Sequence, residues 1–391
     1  MAFSQRRLSI AFVSDNFRNG GVGGVVSAWR FVEKLREEHQ VILIGTDADG
    51  IGKVPVLDIP SRIIREMGFV MARPDRAAVA RAIAAADVVH VQLPFWLGFV
   101  ALAEARRLGK PVVAGFHIQP ENALFNVGIH APSVARLMYR LSVRYFYERF
   151  DAVVAPSEFA ANKLRQHGLT RPVRVISNGV HPSASERPRF LRPKPDPNVF
   201  RVLAVGRLAE EKHPETLIDA VQRSRFRGRI ELVIAGRGPR ERELRERASA
   251  LPNARVGFVS QEELWRLLDT SDLLVHCSEV ELEGMAVLEA MSAGLPALVA
   301  DGPETAAAEL ALDERFRFPV RDAAALASKL DALLERPSEL HDAGARCRRM
   351  VASRDFGKSV DELVELYRGL LAMRSPRPKG DAWPAQAVVH P

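Results

Sequence analysis

The sequence lacks the residues and runs that would define several large classes of protein. Its 391 residues include two cysteines, Cys277 and Cys347, which are too few for a disulfide framework or a cysteine-based zinc site. No apolar run approaches the length of a membrane-spanning helix, and no spacing of histidine and acidic residues indicates a metal site. These absences favour a globular chain in a reducing cytoplasm, without a structural metal.

The charge of the chain is the first feature that indicates a partner. The formal net charge is +7 and the isoelectric point is about 9.7, which suits phosphate groups, nucleic acid or an anionic membrane. A basic surface with no particular partner is an equally common explanation, so the charge alone does not choose. The basic N-terminus precedes only about seven apolar residues, which predicts a strand and not a signal peptide.

Short apolar runs alternate with amphipathic segments along nearly the whole chain. Runs that are apolar on both faces and separated by helices predict parallel sheets with helices on both sides. Such sheets bind ligands at the carboxyl ends of their strands. The runs form two series, at 8–14, 40–45, 87–92, 111–117, 151–156 and 173–177, and then at 200–206, 230–236, 254–259, 272–277 and 296–300.

A proline-rich stretch without apolar periodicity separates the two series. We therefore predict a first domain over residues 1–180, a linker over 181–198 and a second domain over 199–354. The amphipathic segment at 355–372 predicts a final helix, which the family resemblance described below implies to be a crossing helix. The remaining residues, 373–391, have the composition of a disordered tail.

The segment "NFRNGGVGGVVSAWR" follows the first predicted strand and leads into a helix. Its glycines, which include Gly23 and Gly24, would let a ligand approach the backbone closely, and a helix start favours anions. The segment does not fit the dinucleotide fingerprint, because position 26 is Val26, and no Gly-Lys-Ser/Thr follows it as in a P-loop. It therefore predicts either a tight turn or a phosphate site.

Two cations lie five residues apart in "VGRLAEEKHPETL", after the first strand of the second series. Beside a helix start, Arg207 and Lys212 could neutralise a diphosphate without a metal. Alternatively, they belong to a solvated loop and pair with Glu210 and Glu211. A further candidate is His117, which ends a predicted strand at a probable ligand-binding edge, although a lone histidine there is more often structural.

The stretch "ELEGMAVLEAMSAGLP" places three carboxylates in nine residues at the start of a predicted helix. Acids in a first helical turn favour the positive end of the helix dipole, which accounts for Glu281 and Glu283. The dipole accounts less well for Glu289, which lies deeper in the helix between apolar neighbours. A carboxylate in that position can accept two hydrogen bonds from a vicinal diol.

Taken in order, these segments resemble the retaining glycosyltransferases of family four over about residues 8–372. The resemblance implies an α/β structure called the GT-B fold. In that fold two Rossmann-like domains with parallel sheets face each other, and a C-terminal helix returns towards the N-terminal domain. The motifs that carry the resemblance are the glycine-rich loop, the acidic motif, "APSEFA" at 155–160, "ISNGVH" at 176–181, "VGRLAEEK" at 205–212 and "IAGRGP" at 234–239.

The resemblance also implies which residues bind a nucleoside diphosphate sugar. Glu281 would approach the sugar, and Glu289 would hold the ribose hydroxyls. Arg207 and Lys212 would stabilise the leaving diphosphate, and His117 would contact the sugar. The implied enzyme is a metal-independent, retaining hexosyltransferase without a cofactor, and UDP-glucose is the first donor to expect. The other implied donor-binding residues are Gly23, Gly24, Gly236, Val259, Gly284, Met285 and Ala286.

Two positions depart from the family pattern. Many relatives have Gly-Phe-Gly after the first glutamate, where this chain has Leu282, Glu283 and Gly284. Some transferases that glycosylate diacylglycerol also carry an acid at the position of Glu283. The glycine usual after the loop lysine is replaced by His213 and Pro214, so the shape of that loop does not carry over from the family.

The predicted helix over residues 132–149 suggests an acceptor at an anionic membrane. Its arginines recur every four residues beside apolar and aromatic side chains, as in a helix that lies in a headgroup interface. Aromatic residues after a strand end could dock a lipid near the cleft. We expect a lipid hydroxyl, such as that of diacylglycerol, on the inner face of the cell membrane. The residues concerned are Arg136, Arg140, Arg144, Phe95 and Trp96.

Other functions are compatible with the same sequence. The basic helix could simply pack on the sheet of a transferase with a soluble or polysaccharide acceptor. A nucleotide-sugar epimerase also has two facing Rossmann-like domains. A non-catalytic nucleotide-sugar-binding protein would keep the donor site without transfer. Nucleic acid is not an expected partner.

Overall fold

The first half of the chain forms a parallel six-stranded sheet. The computed structural model describes residues 6–18, 23–58, 70–180 and 198–374. The strands pair in the order β2-β1-β3-β4-β5-β6, and every pairing is parallel. Their bounds are β1 Ser9–Val13, β2 Gln40–Ile44, β3 Val88–Val91, β4 Val112–Gly115, β5 Ala152–Ala155 and β6 Val173–Val175.

Helices cover this sheet, and their starts carry ordinary local signals. The side chain of Asp75 caps the second helix, the Ser157 hydroxyl caps the sixth by accepting from Ala160 N, and prolines open the fourth and fifth. The bounds are α1 Gly23–Glu38, α2 Arg76–Ala84, α3 Trp96–Arg107, α4 Pro120–Asn126, α5 Pro132–Tyr145 and α6 Glu158–Gln166.

The second half forms another parallel six-stranded sheet, in the order β12-β11-β10-β7-β8-β9. Its strands are β7 Phe200–Val205, β8 Ile230–Ala235, β9 Ala254–Gly257, β10 Leu273–His276, β11 Ala297–Asp301 and β12 Arg317–Pro319. Its helices are α7 Pro214–Arg223, α8 Glu241–Ala248, α9 Gln261–Thr270, α10 Met285–Ala293, α11 Ala323–Leu334 and α12 Pro337–Val351.

Both faces of the first sheet are buried, which explains its uniformly apolar strands. Along β1, Ala11 and Val13 belong to the core on one side, whereas Ile10 and Phe12 belong to the core on the other side. Side chains alternate across a strand, so a strand covered on both faces needs apolar residues at every position. The second domain has a core of its own.

The last helix, α13 Phe356–Arg374, follows the second domain but packs on the first. Val360, Leu363 and Tyr367 are buried in the same core as Ile10 and Phe12. The Tyr367 hydroxyl lies 2.8 Å from His90 Nδ1 at the end of β3. The expected return of a C-terminal helix to the N-terminal domain is therefore confirmed, together with the two parallel Rossmann-like sheets.

The strand β12 and the helices α4 and α12 were not predicted from the sequence. β12 has three residues and α4 has seven, lengths at which apolar periodicity carries little signal. The buried side of α12 includes Ala343 and Gly344, residues too small to mark an apolar face. The predicted linker and tail lie outside the described residues, except for Asn198, Met373 and Arg374.

Candidate active site in the interdomain cleft

The carboxyl ends of the two sheets face a common cleft that contains a cavity of about 520 Å³. Its walls come from segments that follow β3 and β4 in the first sheet and β7 and β10 in the second, together with the starts of α1 and α10. The residues predicted from the sequence that line this cavity are Gly23, Gly24, Phe95, His117, Arg207, Lys212, Glu281, Met285, Ala286 and Glu289.

Three predicted donor-binding residues do not line the cavity: Gly236 and Val259, which follow β8 and β9, and Gly284, which precedes α10. A Cβ added to Gly236 would lie 1.8 Å from the carbonyl oxygen of Gly206, so this glycine permits two loops to touch. Val259 packs against the core of the second domain. The structure therefore gives Gly236 and Val259 a packing role beside the cavity.

The start of α1 forms the wall of the cavity on the side of the first domain. A Cβ on Gly23 would meet no atom within 4 Å, so this glycine borders open space that a ligand can enter. A Cβ on Gly24 would lie 3.1 Å from His117 Cβ. The side chain of Gln92 donates to the Gly24 carbonyl oxygen at 3.1 Å and fixes the start of the helix.

Burial keeps two histidines neutral on this side of the cleft. Removal from water lowers the pKa of His117 to about 4 and that of His90 to about 3. Neutral His90 can donate a hydrogen bond from Nε2 to Gln92 Oε1, which lies 3.2 Å away. Its Nδ1 can accept a hydrogen bond from the Tyr367 hydroxyl. The last helix is thus linked by hydrogen bonds to the wall of the cavity.

On the opposite wall, Lys212 and Glu281 form an ion pair of 2.8 Å between Nζ and Oε2. His276 Nε2 lies 3.4 Å from the same carboxylate oxygen. Burial alone would raise the pKa of Glu281, but the charge of Lys212 and the contact with His276 outweigh it and hold the pKa well below its ordinary value. Glu281 is therefore ionised at neutral pH, and Lys212 does not pair with Glu210 or Glu211.

Arg207 lines the cavity and keeps one donor nitrogen without a partner in the part of the chain that the structure describes. Its Nη2 is buried and has no hydrogen-bond partner within the described residues. Close by, Gly284 precedes α10 in a left-handed conformation with φ 89°, which a residue with a side chain adopts only under strain. The first amides of α10, at Met285 and Ala286, have no acceptor inside the helix and line the same cavity.

The loop after Lys212 has a residue with a left-handed backbone conformation, although that residue is not a glycine. His213 has φ 44°, and its ring bonds Glu215 at 2.9 Å and Glu279 at 2.7 Å. Arg321 also binds Glu279, at 2.6 Å. Burial opposes protonation, but the two carboxylates raise the pKa of His213. These contacts offset the strain that replacement of the family glycine introduces.

A residue that the sequence analysis missed lies opposite Glu289. Arg30 of α1 approaches the carboxylate from the other domain, with 2.7 Å between Nη2 and Oε1. The signal in the sequence was a lone arginine between Trp29 and Phe31 in an apolar helix. Arg30 follows Gly23 by seven residues, which places both residues on the same face of the helix. The partner, 259 residues away in the sequence, could not be read from that pattern.

Glu283 lines the cavity and also joins the two domains. It accepts hydrogen bonds from the Ser177 hydroxyl, and from Asn178 N at 3.0 Å and Nδ2 at 2.7 Å. Nearby, the Ser157 hydroxyl donates to the Leu282 carbonyl oxygen at 2.5 Å. The motifs "APSEFA" and "ISNGVH" therefore supply interdomain contacts, a role that the sequence analysis did not assign to them.

The residues predicted to contact a membrane lie outside the cavity, except for Phe95. Arg136, Arg140 and Arg144 are exposed on α5, whose buried side consists of Ala135, Tyr139 and Val143. An apolar stripe lies next to the arginines. We call the exposed side chains of this region the basic-apolar surface: Arg136, Arg140, Arg144, Trp96, Phe99, Leu137, Leu141 and Tyr145.

Two kinds of feature are absent from the described residues. Within those ranges, no three side chains of histidine, cysteine, aspartate or glutamate are grouped so that they could hold a metal ion. No helix there is both long enough and apolar enough to span a bilayer.

Solved structures share this architecture. Anabaena HepE, crystallised in complex with UDP and glucose, superposes with a TM-score of 0.71 at 19% identity and covers 93% of this chain and 100% of its own. Sucrose-phosphate synthase from Thermosynechococcus elongatus gives a TM-score of 0.71 at 18% identity, with 94% and 100% covered. The two facing domains have the GT-B fold.

Sequence comparisons identify the family. Residues 21–184 match Glycosyltransferase Family 4, and residues 187–350 match Glycosyl transferases group 1. A GDP-mannose-dependent alpha-mannosyltransferase of Mycolicibacterium smegmatis is 30% identical over 390 residues, which cover 95% of this chain and 100% of the relative. An alpha-monoglucosyldiacylglycerol synthase of Streptococcus pneumoniae is 26% identical, with 71% and 65% covered. The chain belongs to the family-four glycosyltransferases and uses a nucleotide-sugar donor.

The burial of Glu283 generates a prediction about stability. Burial raises the pKa of its carboxyl to about 7 from an ordinary 4.5, against the opposing contacts of Ser177, Asn178 and Arg354. The neutral form of the Glu283 carboxyl stabilises the folded protein. This stabilisation is complete below pH 4.5 and is lost as the pH rises through 7. From about pH 5 to about pH 8, wild type should lose up to about 3 kcal/mol of unfolding free energy relative to Glu283→Gln.

Denaturant titrations at several pH values measure this difference. Glu365→Gln is the matched control, because the Glu365 side chain is 77% exposed and the substitution changes the same functional group outside the buried site. A difference for Glu283→Gln that stays constant over this range would contradict the raised pKa.

Proposed function

We propose that this glycosyltransferase moves a hexose, with retention of configuration, from a nucleoside diphosphate sugar to a lipid hydroxyl at an anionic membrane surface. The observation that carries the proposal is that most residues predicted to bind the donor line one cavity, and that the basic-apolar surface begins beside it. Phe95 lines the cavity, and Trp96, the next residue, is 51% exposed outside it. The donor and acceptor sites would therefore adjoin.

The donor-binding part of the proposal assigns one group to each part of the nucleotide. Arg207, with its unpartnered Nη2, and the first amides of α10 would bind the diphosphate. Glu289 would accept hydrogen bonds from the ribose hydroxyls. Lys212 is held by Glu281 at 2.8 Å, so its ammonium group would be in place beside the sugar phosphate bond.

The chemistry requires stabilisation of charge on the departing diphosphate. Preorganised cations and amides in a water-poor site supply such stabilisation most effectively. Neutral His117 can donate a hydrogen bond to a sugar hydroxyl without adding a charge. No described side chain is placed as a clear covalent nucleophile, so we favour attack of the acceptor on the same face that the diphosphate leaves, with the phosphate taking the proton.

The acceptor-binding part rests on the basic-apolar surface. Leu137 and Leu141 of α5 are 55% and 45% exposed. They lie outside the buried side of the helix, which includes Ala135 and Tyr139. The ring of exposed Phe99 packs on Phe146, with centroids 4.9 Å apart, so the end of α5 and the start of α3 form a continuous surface. Apolar side chains flanked by arginines suit a headgroup interface.

The relatives guide the choice of sugar and acceptor. The relative from Mycolicibacterium smegmatis is a GDP-mannose-dependent enzyme, and the synthase of Streptococcus pneumoniae is named for a glucosyldiacylglycerol. GDP-mannose is therefore the first donor to test, and UDP-glucose, which the sequence led us to expect, is the second.

A donor panel tests the proposal as a whole. Purified protein is incubated with radiolabelled GDP-mannose, UDP-glucose or UDP-galactose and a membrane lipid extract, in the presence of EDTA. We expect one hexose to appear in a lipid product and to need no added divalent cation, because the proposed diphosphate ligands are cations and amides.

The same assay distinguishes the alternatives. A labelled product that stays in water would indicate a soluble or polysaccharide acceptor, and a 2-epimer formed without acceptor would indicate an epimerase. Donor binding without transfer or hydrolysis would indicate a non-catalytic protein. Loss of transfer in EDTA that magnesium or manganese restores would refute metal independence.

Substitutions at Lys212 and Glu289 test the donor assignments. Each alanine variant should lower kcat/KM for the true donor by roughly 10- to 100-fold, since a lost hydrogen bond to a charged group costs about 1.5–3 kcal/mol. Steady-state kinetics measure the change, and thermal unfolding checks that the variants stay folded. Lys53→Ala is the control, because Lys53 is exposed and does not line the cavity. Wild-type kinetics in either variant would remove that residue from the site.

Flotation with liposomes tests the membrane assignment. Binding should rise with the anionic lipid content, fall with salt and weaken when Arg136, Arg140 and Arg144 are changed together to Glu, because each basic residue near the surface contributes about 1 kcal/mol. The matched control changes three exposed arginines of the second domain to Glu. An equal loss of liposome binding in the control variant, or no binding by wild type at low salt, would refute the assignment of this surface to membrane binding. The control residues are Arg225, Arg242 and Arg266.

A further inference from the structure

The ion pair between Arg30 and Glu289 crosses the cavity from one domain to the other. Arg30 belongs to α1 of the first domain and Glu289 to α10 of the second, and both side chains line the cavity. Their side chains are 22% and 17% exposed, and 2.7 Å separates Nη2 from Oε1. The pair thus lies within the space proposed for the nucleotide and not in a packed interface.

Each partner retains bonding capacity that the pair does not use. Glu289 is bound through Oε1, and Oε2 has no partner among the residues that the structure describes. Arg30 Nη1 is buried and lacks a hydrogen-bond partner within the same ranges. A carboxylate with one oxygen fixed and the other open can accept further hydrogen bonds without first losing side-chain freedom.

Charge gives Arg30 a second effect on a bound nucleotide. An isolated carboxylate near a diphosphate would repel it, because like charges a few ångströms apart interact strongly in a site with little water. A guanidinium group on the carboxylate cancels most of that repulsion. Glu289 can therefore offer an acceptor to hydroxyl groups without opposing the anionic part of the same ligand.

We propose that Arg30 is a donor-positioning residue, which holds Glu289 by one carboxylate oxygen and presents the other to the ribose hydroxyls. This inference rests on the proposed assignment of Glu289 to the ribose. Because Arg30 comes from the opposite domain, the ribose site is complete only when the two domains are closed.

Other contacts already join the domains, so the ion pair is not needed to hold them together. Glu283 accepts from Asn178, the Ser157 hydroxyl donates to the Leu282 carbonyl oxygen, and Lys163 binds Glu304. These contacts lie on other segments of the interface. Removal of the Arg30 guanidinium should consequently affect nucleotide binding more than domain packing.

Calorimetric binding of UDP and GDP, each compared with its 2′,3′-dideoxy counterpart, tests the inference. Wild type should prefer the ribonucleotide, and Glu289→Ala should abolish that preference. Arg30→Ala should weaken binding of both nucleotides, because the repulsion between Glu289 and the diphosphate is no longer cancelled. The ribonucleotide should lose about five- to tenfold more than the dideoxynucleotide, as expected for residues that are directly coupled. Arg30→Lys should restore part of the loss, and the double variant should bind no worse than Glu289→Ala.

Arg36→Ala is the matched control, since Arg36 is exposed on the same helix, and it should bind both nucleotides as wild type does. Equal weakening of ribonucleotide and dideoxynucleotide by Arg30→Ala, or a lowered thermal unfolding temperature that accounts for the loss, would overturn the positioning role and leave the assignment of Glu289 standing. If Glu289→Ala keeps the ribonucleotide preference, the proposed ribose assignment itself fails, and the role of Arg30 fails with it.

Discussion

The geometry of the cleft depends on a carboxylate buried where the two domains meet. Glu283 accepts three hydrogen bonds from Ser177 and Asn178, and nearby residues of the chain, Glu281 and Met285, line the cavity. Polar groups without partners are costly to bury, so this segment keeps its place only while the first domain supplies those donors. The same few residues thereby fix the distance between the sheets and the position of the cavity wall.

Most charges in the cavity are paired before any ligand arrives. Lys212 is bound to Glu281 and Arg30 to Glu289, whereas Arg207 keeps a buried nitrogen without a partner among the described residues. Paired side chains have already lost most of their rotational freedom, so a ligand that binds them pays little further entropy. The pairs also keep the local net charge small, which limits the attraction of unrelated anions.

Local patterns predicted the sheets well but could not predict contacts between distant residues. The runs apolar on both faces located all strands except β12, and the acidic and arginine–lysine motifs located much of the second wall of the cavity. The pairing of Arg30 with Glu289 depends on how two domains dock, and no periodicity in α1 contains that information. Gly236 and Val259 were placed at the donor by resemblance, yet their neighbours in the structure are protein atoms of the second domain.

The packing of α13 on the first sheet has a consequence for synthesis of the chain. Ile10 and Phe12 of β1 share their core with Val360 and Tyr367, so the core of the first domain is completed by residues that are synthesised after the second domain. Until then the first domain carries an uncovered apolar face while the whole second domain is made and folds. Apolar surface that is exposed in a partly made chain favours aggregation, so the synthesis of the second domain is the interval in which this face lacks the cover that α13 provides.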